Sequence, residues 1–315
     1  MKKVLWIFLF VVLCPPSFAK AEKLDLMRRW VVFPFEADET LKVAADNAWW
    51  KSRERLTAKK KYLVASRQFL MQKDVLQPRR ELKPEDVKLL ANLLDANVLV
   101  TGYAEQRQFT MNVYLAQNGA LFWSKQLGFH PSLKASDQLE LITEKLTQEL
   151  LAIIPYQAFT IVDPLIGKAV YEEVGKKYAV IDVGVTDGLT VGMDVQWTAV
   201  NMPEDFDKRR PVLSDSKMIL LGEGKITKIK RGIVIAELQR AISNDTITEK
   251  TMVRFPQEIE KIQSYLSIEA SKERIAPEIL PTLINPVSPE SNNAKKNSLI
   301  FGTILSILGI LALAF

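Results

Sequence analysis

The fold is decided by residues 89–103, which read LLANLLDANVLVTGY. Leucines recur at helical spacing as far as Leu94, and the apolar run that follows Asn97 is typical of a buried strand. Pro84 suits the first turn of the helix that leads into this stretch. These residues therefore predict a helix followed directly by a strand, which indicates a sheet with helices packed on it.

The same alternation of strands and helices continues on both sides of this stretch. Asn118-Gly119 separates two apolar runs and is a strong signal for a tight hairpin. The order β-α-β-α-β-β-β-α predicts an α/β sandwich domain, a sheet with packed helices, over residues 24–155. Its further predicted strands are Trp30–Phe35, Tyr62–Ala65, Phe109–Leu115 and Leu121–Phe129, and its further predicted helices are Asp38–Lys61 and Ser136–Ile154.

Residues 157–256 have a different pattern, in which short strands alternate with turns and helical periodicity is weak. Tyr178–Val183 is the clearest strand, and Gly188 and Gly192 follow it at positions that favour turns with positive φ. Residues 201–217 are polar and charged and predict a loop. This region therefore predicts a small all-β barrel of the SH3-like kind.

The amino end has the layout of a secretory signal peptide over residues 1–21. Lys2 and Lys3 precede a short apolar run, and small residues follow it, so we expect cleavage after Ala19 or Ala21. An uncleaved anchor is the alternative. Cys14 is the only cysteine, and Leu13 before it argues against a lipidated cysteine. The mature chain is then expected to contain no disulfide and no thiolate metal site.

The carboxyl end is apolar. Residues 298–315 carry no charge, and a helix of this length rises about 27 Å, close to the thickness of a bilayer core. They predict one carboxyl-terminal transmembrane helix, preceded by a helix and a proline-rich linker over residues 257–297. Together the two ends predict an exported protein whose domains lie in the periplasm, anchored to the inner or outer membrane by this helix.

Both predicted domains resemble known envelope modules over roughly residues 28–256. The strand that reads VVFPF from Val31 and the stretch 89–103 resemble the amino-terminal domain of TolB and the related domain of curli-secretion lipoproteins. The run VIDVG from Val180, followed by DGL from Asp187 and VGMD from Val191, resembles the carboxyl-terminal barrel of flagellar assembly protein T. This resemblance implies exported modules that bind other proteins rather than enzymes.

Charge is concentrated near the amino end of the mature chain. The whole sequence has a net charge of +5, and residues 28–83 hold fourteen Lys and Arg against seven Asp and Glu. Cations at a helix end favour the helix dipole, but the excess here is larger than that role needs. A solvated helix face and a partner surface are both open readings. The candidate partner-binding residues are Lys51, Arg53, Arg55, Lys59, Lys60 and Lys61.

No motif in the sequence points to catalysis, a cofactor or a metal. His130 is the only histidine and precedes Pro131, so a turn position is the simpler interpretation. Asp182, Asp187 and Asp194 miss the spacing of a calcium loop. Trp49 and Trp50 are adjacent on a predicted helix, so we expect one in the core and one partly exposed.

Two classes of function follow from these patterns. The first is a non-enzymatic, membrane-anchored scaffold or adaptor that serves a secretion, motility or cell-wall assembly. The second is a cell-wall hydrolase or another periplasmic enzyme that depends on carboxylates. We expect the first. The candidate partners are envelope proteins, anionic lipid, cell-wall polymer and a second copy of the chain, and a nucleic acid is not expected behind a signal peptide.

Overall fold

A computed structural model describes residues 22–58, 60–186, 188–203, 206–242 and 247–260, together with Ser264 and Ser267. The described residues up to Glu260 belong to one compact unit. Its first part carries six strands and four helices. In chain order these are β1 Arg29–Val32, β2 Glu36–Ala37, α1 Lys42–Ala58, β3 Leu63–Val64, α2 Arg67–Gln72, α3 Pro84–Leu94, β4 Val98–Glu105, β5 Gln108–Leu115, β6 Leu121–Gly128 and α4 Ala135–Ile153.

These six strands form one mixed sheet in the order β3-β1-β4-β5-β6, with β2 beside β4. The strands β3, β1 and β4 run parallel, and Trp30 lies opposite Val98. The strands β4, β5 and β6 are joined by hairpins and run antiparallel. The predicted hairpin at Asn118-Gly119 is confirmed, and Gly119 has the positive φ of +78° that the turn requires.

Helices cover the two faces of this sheet unequally. On one face, α1 and α4 enclose a core that contains Trp49, Phe109 and Leu146. On the other face, α2 and α3 cover the region of β1 and β4, where Phe33 and Leu99 are buried. Beyond Tyr114 the second face is not covered by these helices.

The second part of the compact unit is built from seven strands and one 3-10 turn, Leu213–Asp215. The strands are β7 Ala158–Ile161, β8 Val170–Glu173, β9 Lys176–Asp182, β10 Asp194–Asn201, β11 Lys217–Lys230, β12 Ile233–Ala241 and β13 Met252–Arg254. Six of them close into a ring in the order β12-β11-β10-β13-β7-β9, because β9 also pairs with β12. The ring encloses an apolar core around Trp197, Ala236 and Phe255, and β8 pairs with β9 outside the ring.

One hydrophobic core joins the first sheet to the outer face of the barrel. Val200 and Met252 of the barrel belong to the same cluster as Met27 and Tyr156. Residues 22–24 run beside β10, where the Leu24 amide donates to the Val200 carbonyl at 2.8 Å and the Met202 amide donates to Glu22 at 2.9 Å. The predicted domain boundaries, including the one between residues 155 and 157, stay a prediction.

The predicted fold class is wrong. Strand residues outnumber helical residues in the described chain, and the fold consists of two sheets, one of which closes as a six-stranded barrel rather than a small SH3-like one. The sequence misled because β11 runs for fourteen residues through positions where short strands were expected, and its length allows β12 to reach β9. Charged residues such as Lys225 and Lys228 interrupt the apolar pattern of β11, so the pattern does not indicate one long strand.

The predicted transmembrane helix is corrected too. Within the described residues, every helix is too short or too polar to cross a membrane. The segment on which that prediction depended, residues 298–315, lies outside the described residues, as do residues 1–21 and most of 257–297. The predicted membrane-anchored localisation depended on this helix and is withdrawn with it.

Candidate functional site

The structure places two of the predicted partner-binding residues against another helix of the same chain. Lys51 forms an ion pair with Glu140, and Arg55 forms an ion pair with Glu144. Both glutamates belong to α4, which packs along α1. Part of the basic stripe therefore joins two helices, and Ser52 adds a hydrogen bond to Thr147 in the same contact.

Arg53 lies inside the fold. Its guanidinium is 4.8 Å from the ring centroids of both Trp49 and Trp50, and its Nη2 donates to the Ala65 carbonyl at 2.7 Å. Burial lowers the pKa of Arg53, and the nearby charge of Arg67 lowers it further. Trp49 is buried and Trp50 is 37% exposed, which confirms the division expected from their helical positions.

The end of the predicted basic stripe lies next to the barrel. Lys60 has a positive φ of +53°, and its carbonyl oxygen lies 2.8 Å from where a Cβ of Gly184 would be. Lys61 has a contact partner within the chain, and Lys59 lies outside the described residues. The partner-binding role of the six residues stays a prediction.

The single histidine lies in the loop before α4. Its Nδ1 accepts a hydrogen bond from the Ser132 amide at 3.2 Å, in the turn position that the sequence favoured. Among the described residues there is no group of His, Cys, Asp and Glu side chains that could hold a metal ion. The expectation that the protein is not an enzyme stays a prediction.

A different surface has the form of a binding site. It is a groove of about 630 Å³ over the uncovered part of the first sheet, which we call the sheet groove. Polar and aromatic side chains of three neighbouring strands make its floor. They are Tyr103 of β4, Thr110, Asn112 and Tyr114 of β5, and Ser124 and Gln126 of β6.

Hydrogen bonds hold most of this floor in place. Ser124 donates to the Asn112 Oδ1 at 2.7 Å, and Asn112 donates to the Arg80 carbonyl at 3.4 Å. The Leu82 amide donates to the Tyr114 hydroxyl at 3.2 Å, and burial raises the pKa of that hydroxyl. The floor is therefore ordered and neutral near pH 7, which suits a polar ligand that accepts and donates hydrogen bonds.

Thr110 is the exception on this floor. It is only 5% exposed, and its Oγ1 has no hydrogen-bond partner among the described residues. A buried hydroxyl without a partner costs about 1–3 kcal/mol. The groove thus contains one hydroxyl whose hydrogen-bonding capacity is unused within the described fold.

Two walls flank the floor, and both are fixed by backbone contacts. One wall is the segment from Glu81 to Pro84, where α3 begins. Its position depends on Gly119, because a Cβ there would lie 2.3 Å from the Pro84 carbonyl oxygen. The other wall contains Lys208 and Arg209, and it is held by a 2.8 Å bond from the Leu121 amide to the Lys208 carbonyl.

The rim of the sheet groove is positively charged. Lys83, Lys208 and Arg209 line it and form no ion pair with the described residues, whereas Glu81 is the one acid among the described lining residues. Lys125 also borders the groove, but its ammonium group pairs with Glu149 of α4 at 2.5 Å. The groove therefore has an excess of positive charge that the described part of the fold does not neutralise.

An open strand edge borders the groove as well. Within the described part of the chain, β6 pairs only with β5. Its first residue already exchanges backbone bonds with the second wall, because the Val212 amide also donates to the Leu121 carbonyl at 3.0 Å. From residue 122 to residue 128, no described backbone group outside β5 bonds β6, so this part of the edge has the form that accepts another strand.

The sequence carried only a partial signal for this site. Thr110 and Asn112 alternate with Phe109 and Met111, which is the pattern of a strand with one polar face. That pattern does not reveal which part of a face helices will cover, nor that residues from the predicted loop 201–217 form the opposite wall. The site depends on long-range packing, so sequence reasoning missed it.

Comparisons with known proteins assign the chain to no family. No protein-family model matches the sequence. A search of curated proteins also finds no match.

Several solved structures match at low identity. The carboxyl-terminal domain of LpoB from Escherichia coli is 17% identical, with 39% of this chain and 93% of that chain covered and a TM-score of 0.27. The lipoprotein GNA1162 from Neisseria meningitidis is 10% identical, with 39% and 96% covered and a TM-score of 0.28. TolB from Acinetobacter baumannii is 10% identical, with 73% of each chain covered and a TM-score of 0.27. A TolB structure is thus among the matches, and the resemblance to flagellar assembly protein T stays a prediction.

Proposed function

We propose that this protein is a non-enzymatic adaptor of the bacterial envelope that binds an extended segment of a partner protein along β6. The single observation that carries the proposal is the open edge of β6 beside the sheet groove. The export of the chain rests on the signal peptide predicted over residues 1–21. We also propose that it acts as an adaptor in a secretion, motility or cell-wall assembly.

An exposed strand edge is a ready template for another chain. Its unpaired amide and carbonyl groups supply main-chain hydrogen bonds, and pockets beside it select alternate side chains of the added strand. In β6 the edge and the sheet groove share Ser124 and Gln126, so a strand that pairs with the edge lies directly beside the groove. The wall residues 208–212 already pair with the first residue of this edge.

The composition of the groove supports an adaptor over a carboxylate-dependent enzyme. Hydrolysis of a glycosidic bond uses two carboxyl groups on either side of the scissile bond. Only Glu81 supplies a carboxyl group among the described lining residues. The other groups on the floor are hydroxyls and amides that hold one another by hydrogen bonds.

Photo-crosslinking tests the proposal in cells that express the full chain. A photoreactive amino acid at Gln126, on the open edge, is expected to give one discrete crosslinked protein. The same amino acid at Leu141, which is 66% exposed on α4, serves as the matched control and is expected to give none.

The captured protein is then identified, purified and mixed with the full chain. Backbone amides of residues 122–128 are expected to exchange more slowly in that mixture, because an added strand protects them. Equal crosslinking from both positions, or unchanged exchange in β6, would show that the edge is not the docking site. Release of sugar from isolated cell wall by the purified chain would instead favour the enzyme.

A further inference from the structure

We infer that the segment bound along β6 is acidic, and that its carboxylates enter the sheet groove between Lys83 of one wall and Lys208 and Arg209 of the other. This inference rests on the proposed function and adds the chemistry of the partner. It follows from four properties of the groove: its charge, its unused hydroxyl, the start of α3 and the geometry of strand addition.

The charge of the rim selects an anion. Of the four cations that line the groove, Lys125 pairs with Glu149, and the other three have no carboxylate partner in the described chain. All three side chains are exposed, so they can bind a ligand without first leaving the interior. A carboxylate is the anionic group that proteins supply in every compartment, and Lys and Arg bind it through charge-assisted hydrogen bonds.

Two further features border the same space. The helix α3 has eleven residues and begins at the groove, and its N-cap residue Lys83 gives no side-chain hydrogen bond to the first turn. Helix N-termini favour anions because backbone N–H groups and the helix dipole point there. Thr110 lines the groove, is nine-tenths buried and has no partner for its Oγ1 within the described residues. The Thr110 Oγ1 is itself covered, so a carboxylate oxygen supplies the acceptor that this hydroxyl lacks only by entering the floor beside it.

Strand addition then gives the partner a simple sequence pattern. Successive side chains of a strand point to opposite faces of the sheet. When a segment pairs with β6, every second side chain therefore points to the face that carries the sheet groove and can reach into it from the side, and the others point to the face that carries α4. The expected motif is a short run in which Asp or Glu occupies alternate positions.

Three synthetic decapeptides test the charge of the partner against the full chain. Their sequences repeat Thr-Glu, Thr-Gln and Thr-Lys, and each carries a fluorescent label for anisotropy. We expect the Thr-Glu peptide to bind at least tenfold more tightly than the Thr-Gln peptide at low salt, and the Thr-Lys peptide to bind least. We expect this advantage to shrink in half-molar salt, because exposed charges are screened.

Variants of the groove test the location. The double variant Lys208→Gln and Arg209→Gln is expected to remove most of the preference for Thr-Glu over Thr-Gln. Thr110→Val, which keeps the shape and removes the hydroxyl, is expected to lower the affinity for Thr-Glu severalfold, and Thr110→Ser is expected to restore it. Thr160→Val is the matched control, because Thr160 is also buried with an unpartnered Oγ1 among the described residues but lies in the barrel. It is expected to leave binding unchanged.

The outcomes separate this inference from the proposed function. If the Thr-Glu and Thr-Gln peptides slow amide exchange in residues 122–128 equally, the edge binds strands and the acidic preference is wrong. If no peptide slows exchange there, both proposals fail. A fourth probe, hexagalacturonate, tests whether the groove binds an acidic polysaccharide instead of an acidic peptide. If it binds in competition with Thr-Glu, requires Lys208 and Arg209 and leaves β6 exchange unchanged, the groove recognises an acidic glycan, and both proposals are overturned.

Discussion

Lys51 and Arg55 in the second half of α1 lie against glutamates of α4, whereas Lys83, Lys208 and Arg209 around the sheet groove have no acidic partner in the described part of the chain. Both sets are basic in the sequence. The first set comes from one helix and forms the dense stripe that sequence reasoning selects. The second is brought together from the start of α3 and from a loop of the barrel.

This difference shows that a density of charge does not by itself mark a binding surface. A basic cluster can bind a partner only if the fold does not pair its side chains with acidic ones. In the basic stripe on α1, Lys51 and Arg55 form ion pairs with Glu140 and Glu144 of the neighbouring helix α4. Part of the charge of the stripe therefore holds the two helices together. The rim of the groove faces hydroxyls and amides, which leave its charge for a ligand.

The largest expected effect concerns the wall of the groove. Gly119→Ala places a Cβ at a positive φ and against the Pro84 carbonyl, 2.3 Å away, so the start of α3 has to move. We expect a loss of about 2–4 kcal/mol in the free energy of unfolding, from the φ penalty and the clash together. Urea denaturation of the full chain measures it.

Gly175→Ala is the matched control for this prediction. Gly175 has a similar φ of +73°, but a Cβ there meets nothing within 4 Å. Only the conformational penalty applies, so we expect a loss of about 1 kcal/mol. Equal losses in the two variants would show that the contact between Gly119 and Pro84 does not position the wall.

The next effect concerns the interior of α1. Arg53→Ala removes a side chain that lies over two indole rings and bonds the Ala65 carbonyl. We expect a loss of about 2–3 kcal/mol of stability, because the cation–π contacts, the hydrogen bond and the packing are lost together. Arg55→Ala, two residues further along, removes one partly exposed ion pair and is expected to cost less than about 1 kcal/mol. If Arg53→Ala costs no more than Arg55→Ala, Arg53 belongs with the surface residues after all.

Charge reversal compares the two basic regions directly. Lys208→Glu with Arg209→Glu should weaken binding of the Thr-Glu peptide at least tenfold and leave the melting temperature unchanged, since these side chains are exposed. Lys51→Glu with Arg55→Glu should leave peptide binding unchanged and cost about 1 kcal/mol of stability, since like charges then face each other across α1 and α4. If only the Lys51→Glu and Arg55→Glu variant loses peptide binding, the partner surface lies on α1, as the sequence predicts.

Local pattern predicted most elements of the first sheet, but not β2, α2 or the sheet groove. Pro84 indicated the start of α3, and Asn118-Gly119 indicated the hairpin between β5 and β6, because both depend on residues close in the chain. The closure of the barrel depends on the pairing of β9 with β12, whose residues are more than fifty positions apart, and no local pattern encodes it. The wall made by Lys208 and Arg209 depends in the same way on where a barrel loop meets β6.

The smallest expected effect on stability at neutral pH comes from two tyrosine hydroxyls, one next to α1 and one in the sheet groove. Tyr62 follows α1 and Tyr114 lies on the floor of the groove, and burial raises the pKa of both hydroxyls. A pKa that is higher in the folded state than its unfolded value near 10 stabilises the fold below pH 10, and this stability is lost as the pH rises through the folded pKa. Stability should therefore fall above pH 10, by up to about 1.4 kcal/mol per pH unit for each tyrosine.

Replacing each tyrosine by phenylalanine sharpens this comparison. Both Tyr62→Phe and Tyr114→Phe should reduce the loss of stability above pH 10, because each removes one group that must release a proton on unfolding. At pH 7 they should differ. Tyr114→Phe removes the acceptor of the Leu82 amide and should cost about 1 kcal/mol, whereas Tyr62→Phe keeps the ring against Trp30 and should cost almost nothing. Urea denaturation at pH 7 and at pH 10.5 measures both effects. An equal cost at pH 7 would mean that the Tyr114 hydroxyl does not hold the wall of the groove, and the ordered floor would then have to depend on Asn112 and Ser124.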